Sequence, residues 1–235
     1  LAVIGLVFIV TRLFLLSTVP RGLHVDEAGM AYDAFCLANY GTDRYLVWHP
    51  VYLTNYGSGQ SALYAYLASV FIRVIGFRPS AFRLPAVCLG AVTVIFGYLI
   101  GKETMEKKAG AVLAGLITIC PYFIMASRWG LDCNLLLGFF TMSVYLLILA
   151  VKKGKWPWFL LAGASFGVTL YTYAVSYAIL PFFLFFSFLY LLWNKKIRVG
   201  QAAAFVIPLA ALAAPLLLFI AVNMGYLEPF STPLF

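Results

Sequence analysis

The amino-acid sequence predicts an all-α protein, a polytopic bundle of about seven transmembrane helices. Of its 235 residues, 64% are hydrophobic and only 10% are charged, and the mean hydropathy is +0.97. A soluble domain of this length needs more polar surface to cover its core. Several apolar runs reach the roughly 20 residues with which a helix crosses about 30 Å of hydrocarbon. Alternation at period two is absent, so helices are expected to satisfy the backbone in lipid.

Seven apolar stretches are predicted to cross the membrane. The first runs from Leu1 to about Thr18, and a polar stretch over 19–80 separates it from the others. Six further spans are predicted within 81–223, at about 81–100, 110–124, 133–151, 158–172, 177–193 and 202–223. The chain begins inside an apolar run without an initiator Met and stops after a loop-like segment. We therefore expect a single transmembrane domain over 1–235 that is the N-terminal part of a longer chain.

The basic residues are clustered in alternate loops. The clusters are Lys102, Lys107 and Lys108; Lys152, Lys153 and Lys155; and Lys195, Lys196 and Arg198. If each apolar run crosses once, all these clusters lie on one side, and the positive-inside rule makes that side cytoplasmic. The same rule accounts for the net charge of +8 without a nucleic-acid partner. The 19–80 loop and the turn at 127–132 then face outward.

The 19–80 loop is predicted to contain two helices and a turn. From Glu27 to Tyr40, apolar residues recur at helical spacing. Residues 61–75 are apolar almost all round, yet about 15 residues are too few for a span, so an interfacial helix on the outer leaflet is expected. A crossing there would also move the lysine clusters outside. The Gly- and Ser-containing residues 56–60 are typical of a turn before this second helix.

Asp26 and Glu27 are adjacent acids that follow the first span. Desolvation beside hydrocarbon and mutual repulsion both favour the uptake of a proton by such a pair, and a carboxylate that takes a proton from a substrate hydroxyl is a general base. The alternative interpretation is a solvated helix N-terminus, where the helix dipole favours acids. The pair alone does not decide between these interpretations.

Asp132 is the only acidic residue between Glu106 and Glu228, and it lies in a predicted external turn. Isolated ionisable groups at membrane depth mark functional sites. Arg128, four residues earlier, either pairs locally with Asp132 or joins Arg83, at the mouth of the second span, in binding a lipid phosphate. For Arg83 the alternative is snorkelling to lipid headgroups.

Candidate metal ligands are few. His24 and His49 are possible hydrogen-bond partners or ligands, but two histidines without a defined third ligand give a weak metal signal. Glu27 and Asp132 are the carboxylates that would hold a divalent cation if one is used. The four cysteines show no metal-like spacing. The cofactor is therefore left open, with a divalent cation as the candidate.

An ordered series of motifs resembles a known family. The series is Asp26-Glu27-Ala28, Arg83-Leu84-Pro85-Ala86, Lys107-Lys108-Ala109-Gly110, Ser127-Arg128 and Asp132-Cys133-Asn134. Over about residues 1–175 the chain is similar to the N-terminal half of the GT-C glycosyltransferases that use polyprenyl-phosphate sugars. Within these it looks like the protein O-mannosyltransferases and the aminoarabinose lipid A transferases. The resemblance implies that the helix bundle is of the GT-C type.

The resemblance also implies an inverting hexosyl or pentosyl transfer at the extracytoplasmic face of the cell membrane, in the cell envelope. A polyprenyl-phosphate sugar in the lipid bilayer would be the donor, and a hydroxyl of a protein, lipid or glycan the acceptor. Asp26 would be the catalytic base and Asp132 a second essential acid. Glu27 and Asp132 would orient the acceptor or hold a cation. The candidate substrate-binding residues are Arg83, Arg128, His24, Tyr56 and Gln60. Several relatives carry a Lys-Pro-Pro-like element near residues 56–60, and its absence here leaves the sugar and the acceptor open.

A flippase or transporter of polyprenol-linked sugars is the alternative function. Such a protein needs polar or broken helices near the bilayer midplane and usually an ionisable group there. The later predicted spans contain serines, threonines, Pro208 and Pro215, but no deep ionisable residue. Transfer is therefore favoured over transport, and a non-catalytic membrane scaffold is the third interpretation.

Overall fold

The structure is a computed structural model that describes residues 1–55 and 58–228. Helices form most of it. The helices in these residues are α1 Ala2–Leu13, α2 Val25–Tyr40, α3 Leu63–Ile75, α4 Pro79–Thr104, α5 Lys107–Ile119, α6 Pro121–Ala126, α7 Asp132–Lys153, α8 Trp156–Thr169, α9 Ser176–Trp193 and α10 Val199–Asn223. The strands β1 (Tyr52–Asn55) and β2 (Ser58–Ser61) pair antiparallel as a hairpin. The predicted all-α class is confirmed in that the structure is mostly helical, whereas the hairpin has no counterpart among the predicted elements.

In the described part of the chain, four helices are long and apolar enough to cross a membrane: α4, α7, α9 and α10. They correspond to the second, fourth, sixth and seventh predicted spans. The other predicted spans coincide with shorter helices, since α1 has 12 residues, α5 has 13 and α8 has 14. The count of seven spans therefore stays a prediction.

The third predicted span is not one continuous helix. α5 ends at Ile119, Cys120 has an extended backbone, and α6 begins at Pro121. Proline lacks a backbone N–H and disfavours a helical conformation at the preceding residue, so it starts a helix more readily than it continues one. The expectation of a single helix over 110–124 is wrong for this reason.

Arg12, in the last turn of α1, is buried against the end of α5. Its Nη1 donates to the carbonyl of Thr118 at 2.6 Å, and its Nη2 to the carbonyl of Ile117 at 3.3 Å. Carbonyls in the last turn of a helix have no N–H partner within that helix. The arginine supplies the missing donors and thereby ties α1 to α5.

The helices of the 19–80 loop pack on the beginnings of α4 and α7. Met30, Ala34 and Leu37, which lie on the predicted apolar face of α2, are buried in this core. α2 ends at Tyr40 and is followed by the C-cap Gly41, whose left-handed backbone (φ 74°) suits glycine. Both predicted loop helices are therefore present as α2 and α3. Their location on a membrane surface stays a prediction.

α8 and α10 approach each other closely at Gly163. A Cβ at this position would overlap the carbonyl oxygen of Phe205 and would lie 3.0 Å from Cγ of Pro208. We expect Gly163→Ala to push the helices apart and to lower the free energy of unfolding by about 1–3 kcal/mol, because a backbone carbonyl cannot move aside alone. Gly200→Ala, in α10, meets nothing within 4 Å and is the control. Thermal unfolding in detergent tests this, and equal melting temperatures for the two variants would contradict it.

Candidate functional site

The N-terminal ends of α2 and α7 meet beside the hairpin. Asp26 lies in the first turn of α2, and Asp132 is the first residue of α7. The backbone N–H of Ser61, at the end of β2, donates to Oδ2 of Asp132 at 3.1 Å. Burial raises the pKa of Tyr52 in β1, and the charges of Asp132 and Tyr173 add to the rise, so Tyr52 lies near the same carboxylate. These side chains form the candidate site.

Asp26 and Glu27 are neighbours in sequence with opposite surroundings. The side chain of Asp26 is 43% exposed, whereas that of Glu27 is fully buried. Successive residues of an α-helix point about 100° apart, because a turn takes about 3.6 residues. Asp26 is consequently the accessible acid of the pair, and Glu27 belongs to the interior.

Protein donors occupy both carboxylate oxygens of Glu27. Oε1 accepts from Nε of Arg83 at 2.7 Å and from the backbone N–H of Gly130 at 3.0 Å. Oε2 accepts from Nη2 of Arg83 at 2.9 Å and from the backbone N–H of His24 at 3.3 Å. A carboxylate has about four acceptor sites. This arrangement therefore leaves none for a substrate or a metal ion.

Arg83 uses all of its N–H groups within the protein. Besides its two bonds to Glu27, Nη1 donates to the carbonyls of Leu16 and Pro20, each at 3.1 Å, and Nη2 to that of Gly22 at 2.7 Å. A guanidinium has about five donors, so none remains for the lipid phosphate that the sequence predicts here. Snorkelling does not describe it either, because the side chain is fully buried. Arg83 instead fixes the segment that connects α1 to α2.

Arg128 donates to carbonyls at and beyond the end of α1, although its buried Nε has no hydrogen-bond partner among the described residues. Its Nη1 donates to the carbonyl of Thr11 at 2.8 Å, and its Nη2 to those of Phe14 and Val19, each at 2.9 Å. Among the described residues, Arg128 makes no ion pair with Asp132, so the local pair that was one interpretation of the sequence is absent. Arg128 joins the turn before α7 to α1.

Of the other predicted site residues, His24 lies beside Asp26, with its Nδ1 3.5 Å from Oδ2 of Asp26. His24 is the N-cap of α2, and its Nδ1 accepts from the backbone N–H of Asp26 at 3.3 Å. His49 lines a cavity of about 350 Å³ between the loop and α10. Gln60 is buried in β2. Tyr56 lies outside the residues that the structure describes.

A metal site on Glu27 and Asp132 finds no support in this geometry. The described residues contain no group of three or more His, Cys, Asp and Glu side chains that could hold a metal ion. The acceptor sites of Glu27 are occupied. Asp132 accepts from the backbone N–H of Cys133 at 2.8 Å through Oδ1 and from that of Ser61 through Oδ2.

Two residues of the site, Tyr52 and Ser61, have no role in the sequence prediction. Tyr52 is one of many aromatic residues in the 19–80 loop, and such residues are typical of the headgroup region of a membrane. Each strand of the hairpin has four residues, which is too short for a periodic pattern to identify it. The one local feature of these strands in the sequence is the glycine within 58–61, and a glycine favours a turn as much as a strand.

Comparison with known proteins gives a family model described as "Dolichyl-phosphate-mannose-protein mannosyltransferase", which matches residues 60–224. The "Putative mannosyltransferase YkcB" of Bacillus subtilis is 30% identical over 142 residues, which cover 60% of this chain and 19% of YkcB. The STT3B subunit of the dolichyl-diphosphooligosaccharide–protein glycosyltransferase of Arabidopsis thaliana is 37% identical over 86 residues, or 36% of this chain and 11% of STT3B.

The solved structures add a likeness in fold. ArnT from Cupriavidus metallidurans in the apo state has a TM-score of 0.72 at 14% identity, covering 99% of this chain and 44% of ArnT. The same protein bound to undecaprenyl phosphate has a TM-score of 0.69 at 15% identity, covering 95% and 41%. The chain thus spans less than half of ArnT, and the part matched to YkcB is about a fifth of that protein.

Proposed function

This chain belongs to the dolichyl-phosphate-mannose-protein mannosyltransferase family of GT-C glycosyltransferases, and we propose that it moves a sugar from a polyprenyl-phosphate donor to an acceptor hydroxyl at the extracytoplasmic face. The observation that carries the proposal is that the half-exposed Asp26 and the buried Asp132 lie at the N-terminal ends of α2 and α7, which Glu27 joins through the N–H of Gly130. The complex of ArnT with undecaprenyl phosphate supports this class of donor. The acceptor would be a protein, a lipid or a glycan.

In the proposed step, the acceptor hydroxyl attacks the anomeric carbon of the donor sugar while Asp26 takes the hydroxyl proton. The new carbon–oxygen bond forms as the bond from the anomeric carbon to the phosphate oxygen breaks. The polyprenyl phosphate leaves with the electron pair, and attack from the opposite face inverts the anomeric configuration. Because the lipid product stays in the bilayer, a site at the end of the spans suits this reaction.

Glu27 and Arg83 act as positioning residues in this proposal. Their buried ion pair holds the segment before α2 through Arg83 and the turn before α7 through the N–H of Gly130. Asp26 follows just after the segment before α2, and Asp132 follows directly after the turn before α7. The pair therefore sets the relative position of the two acids that we assign to the site.

The leaving phosphate develops charge that needs a cation or donors, and we assign this task to Arg21. Arg83 and Arg128 already donate to backbone carbonyls. The side chain of Arg21 is exposed, and it makes no hydrogen bond or ion pair with the described residues. The carbonyls of Pro20 and Gly22, on either side, are held by Arg83. Arg21 therefore projects from a fixed backbone just before α2.

We expect Arg21→Gln to raise the KM for the donor on the order of tenfold, because an Arg–phosphate contact supplies charge-assisted hydrogen bonds. Steady-state kinetics with a polyprenyl-phosphate sugar measures this effect. Arg78→Gln removes an exposed charge at the N-terminal end of α4 and is the control. Equal KM values for the two variants would show that residues other than Arg21 bind the phosphate of the donor.

The directions of α4 and α7 support an extracytoplasmic site. α4 begins near Arg83 and ends near Lys102, and α7 runs from Asp132 to Lys153. These helices of 26 and 22 residues are about 39 and 33 Å long at about 1.5 Å per residue. Arg83 and Asp132 thus lie at one end of these helices, and the lysines lie at the other end. The positive-inside rule assigns the lysine end to the cytoplasm.

A transfer assay with the full-length protein in lipid nanodiscs tests the function. We expect labelled sugar to pass from a polyprenyl-phosphate sugar to a peptide, lipid or glycan acceptor, with release of polyprenyl phosphate. The matching nucleotide sugar should give no product, and NMR should find the anomeric configuration inverted. If no acceptor releases polyprenyl phosphate while the intact donor crosses the bilayer of proteoliposomes, the flippase is the correct function.

A further inference from the structure

The inner face of the hairpin carries two buried amide side chains without hydrogen-bond partners for their oxygens. Leu53 pairs with Gln60 across the hairpin, and Asn55 is two residues beyond Leu53. Side chains of directly paired residues, and of residues two apart in a strand, lie on the same face. Leu53 is fully buried in the core, so this face points inward. Asn55 and Gln60 are 4% and 9% exposed on it.

Oδ1 of Asn55 and Oε1 of Gln60 accept no hydrogen bond from any described residue. A buried carbonyl oxygen without a donor costs free energy, and most such groups in folded proteins are satisfied. Two of them on one short hairpin indicate that a ligand or ordered water provides the donors. Their chemistry restricts the ligand, since an acceptor oxygen needs an O–H or N–H group.

The hairpin connects both halves of the candidate site. At Gly29, a Cβ would lie 2.8 Å from Oδ1 of Asn55, so the absence of a side chain there lets the amide approach the backbone of α2. Gly29 follows Asp26 by about one helical turn. At the other end, Gln60 precedes Ser61, whose N–H binds Asp132. The two unsatisfied oxygens therefore lie on the hairpin that joins α2 to the N-terminal end of α7.

We propose that Asn55 and Gln60 bind hydroxyl groups of a sugar in the transfer site and so select which sugar is used. An ionised phosphate offers no donor to these oxygens, whereas a pyranose ring offers several hydroxyls. The inference rests on the proposed transferase function. The hydroxyls belong either to the donor sugar or to a glycan acceptor, and both would satisfy the same chemistry.

The experiment combines Gln60→Met and Asn55→Leu with donors that lack single hydroxyls. For the wild-type protein, one deoxy donor should lose roughly 10- to 100-fold in kcat/KM, because the buried oxygen then has no donor. Gln60→Met should lose a similar factor with the parent donor, but it should use that deoxy donor as well as the parent. Asn55→Leu should show the same pattern with a different hydroxyl. If the acceptor supplies the hydroxyl, the pattern appears with deoxy acceptors instead.

Thr54→Val is the control, since Thr54 is exposed on the outer face of the hairpin. It should leave the ratio of parent to deoxy substrates unchanged. Equal losses for every substrate in Gln60→Met and Asn55→Leu would overturn the proposal and indicate bound water with a structural role.

A calorimetric titration of the same donors and acceptors separates this proposal from the function itself. If the protein binds a polyprenyl-phosphate sugar but transfers nothing, the transferase proposal fails, and the deoxy series still tests hydroxyl binding through Kd. Equal affinity of the wild-type protein for the parent and all deoxy compounds would overturn the hydroxyl site.

Discussion

Asp26→Asn is expected to lower kcat for sugar transfer by about 10²- to 10⁴-fold, which is the usual contribution of a general base. The amide keeps the size of the carboxylate but accepts no proton from the acceptor hydroxyl. The variant should fold normally, because the Asp26 side chain is half-exposed and the closed ion pair of the site belongs to Glu27 and Arg83. Loss of a carboxylate from the first turn of α2 should change stability by less than about 1 kcal/mol.

Initial rates with saturating donor and acceptor, together with the melting temperature, measure both parts of this prediction. Glu106→Gln is a matched control, because Glu106 is an exposed acid at the N-cap of α5 without a side-chain cap bond. It should retain full turnover. If Asp26→Asn keeps near wild-type turnover, Asp26 is not the base, and Asp132→Asn in the same assay tests the second acid.

Helix periodicity and hydropathy predict much of the fold from the sequence alone. The apolar face of α2, with Met30, Ala34 and Leu37, follows from spacing alone, because a helix buries one side. The long apolar helices α4, α7, α9 and α10, which could cross a membrane, follow from length and hydropathy. The break at Pro121 and the hairpin are harder to predict, because each depends on a few residues. The surrounding sequence favours a continuous helix in the first case and a loop in the second.

The burial and the partners of each charged residue could not be predicted from periodicity or hydropathy. Asp26 and Glu27 look alike in sequence, but the helix turns one outward and the other into the core. Arg83 lies 56 residues from Glu27 along the chain, and no local pattern identifies such a partner. An arginine at a helix mouth fits a phosphate site as well as a buried ion pair, and only the positions of the surrounding carbonyls distinguish the two.

Breaking the buried ion pair should have the largest effect on stability. We expect Arg83→Met to lower the free energy of unfolding by about 3–5 kcal/mol, because it leaves the Glu27 carboxylate charged and buried without its main partner. Glu27→Gln should cost a comparable amount, since it leaves the guanidinium buried among neutral acceptors. Arg83→Lys should not restore stability, because an ammonium has three donors and cannot bridge both carboxylate oxygens and the carbonyls.

Equilibrium unfolding in mixed micelles measures these free energies, and Glu103→Gln is the control. Glu103 pairs with Lys152 at 2.9 Å on the surface at the other end of α4, and such exposed pairs contribute little. If Arg83→Met and Glu103→Gln have the same small effect, the pair does not hold the site together.

The double variant Glu27→Gln/Arg83→Met decides between positioning and catalysis. Removing both charges together should cost less than the sum of the single changes, because neither partner is then left charged in the interior. If the pair acts by holding the segments before α2 and α7, transfer should recover in the double variant in proportion to stability. If Glu27 takes part in the chemistry, kcat should stay low although stability returns. The closed set of contacts around Glu27 leads us to expect the first outcome.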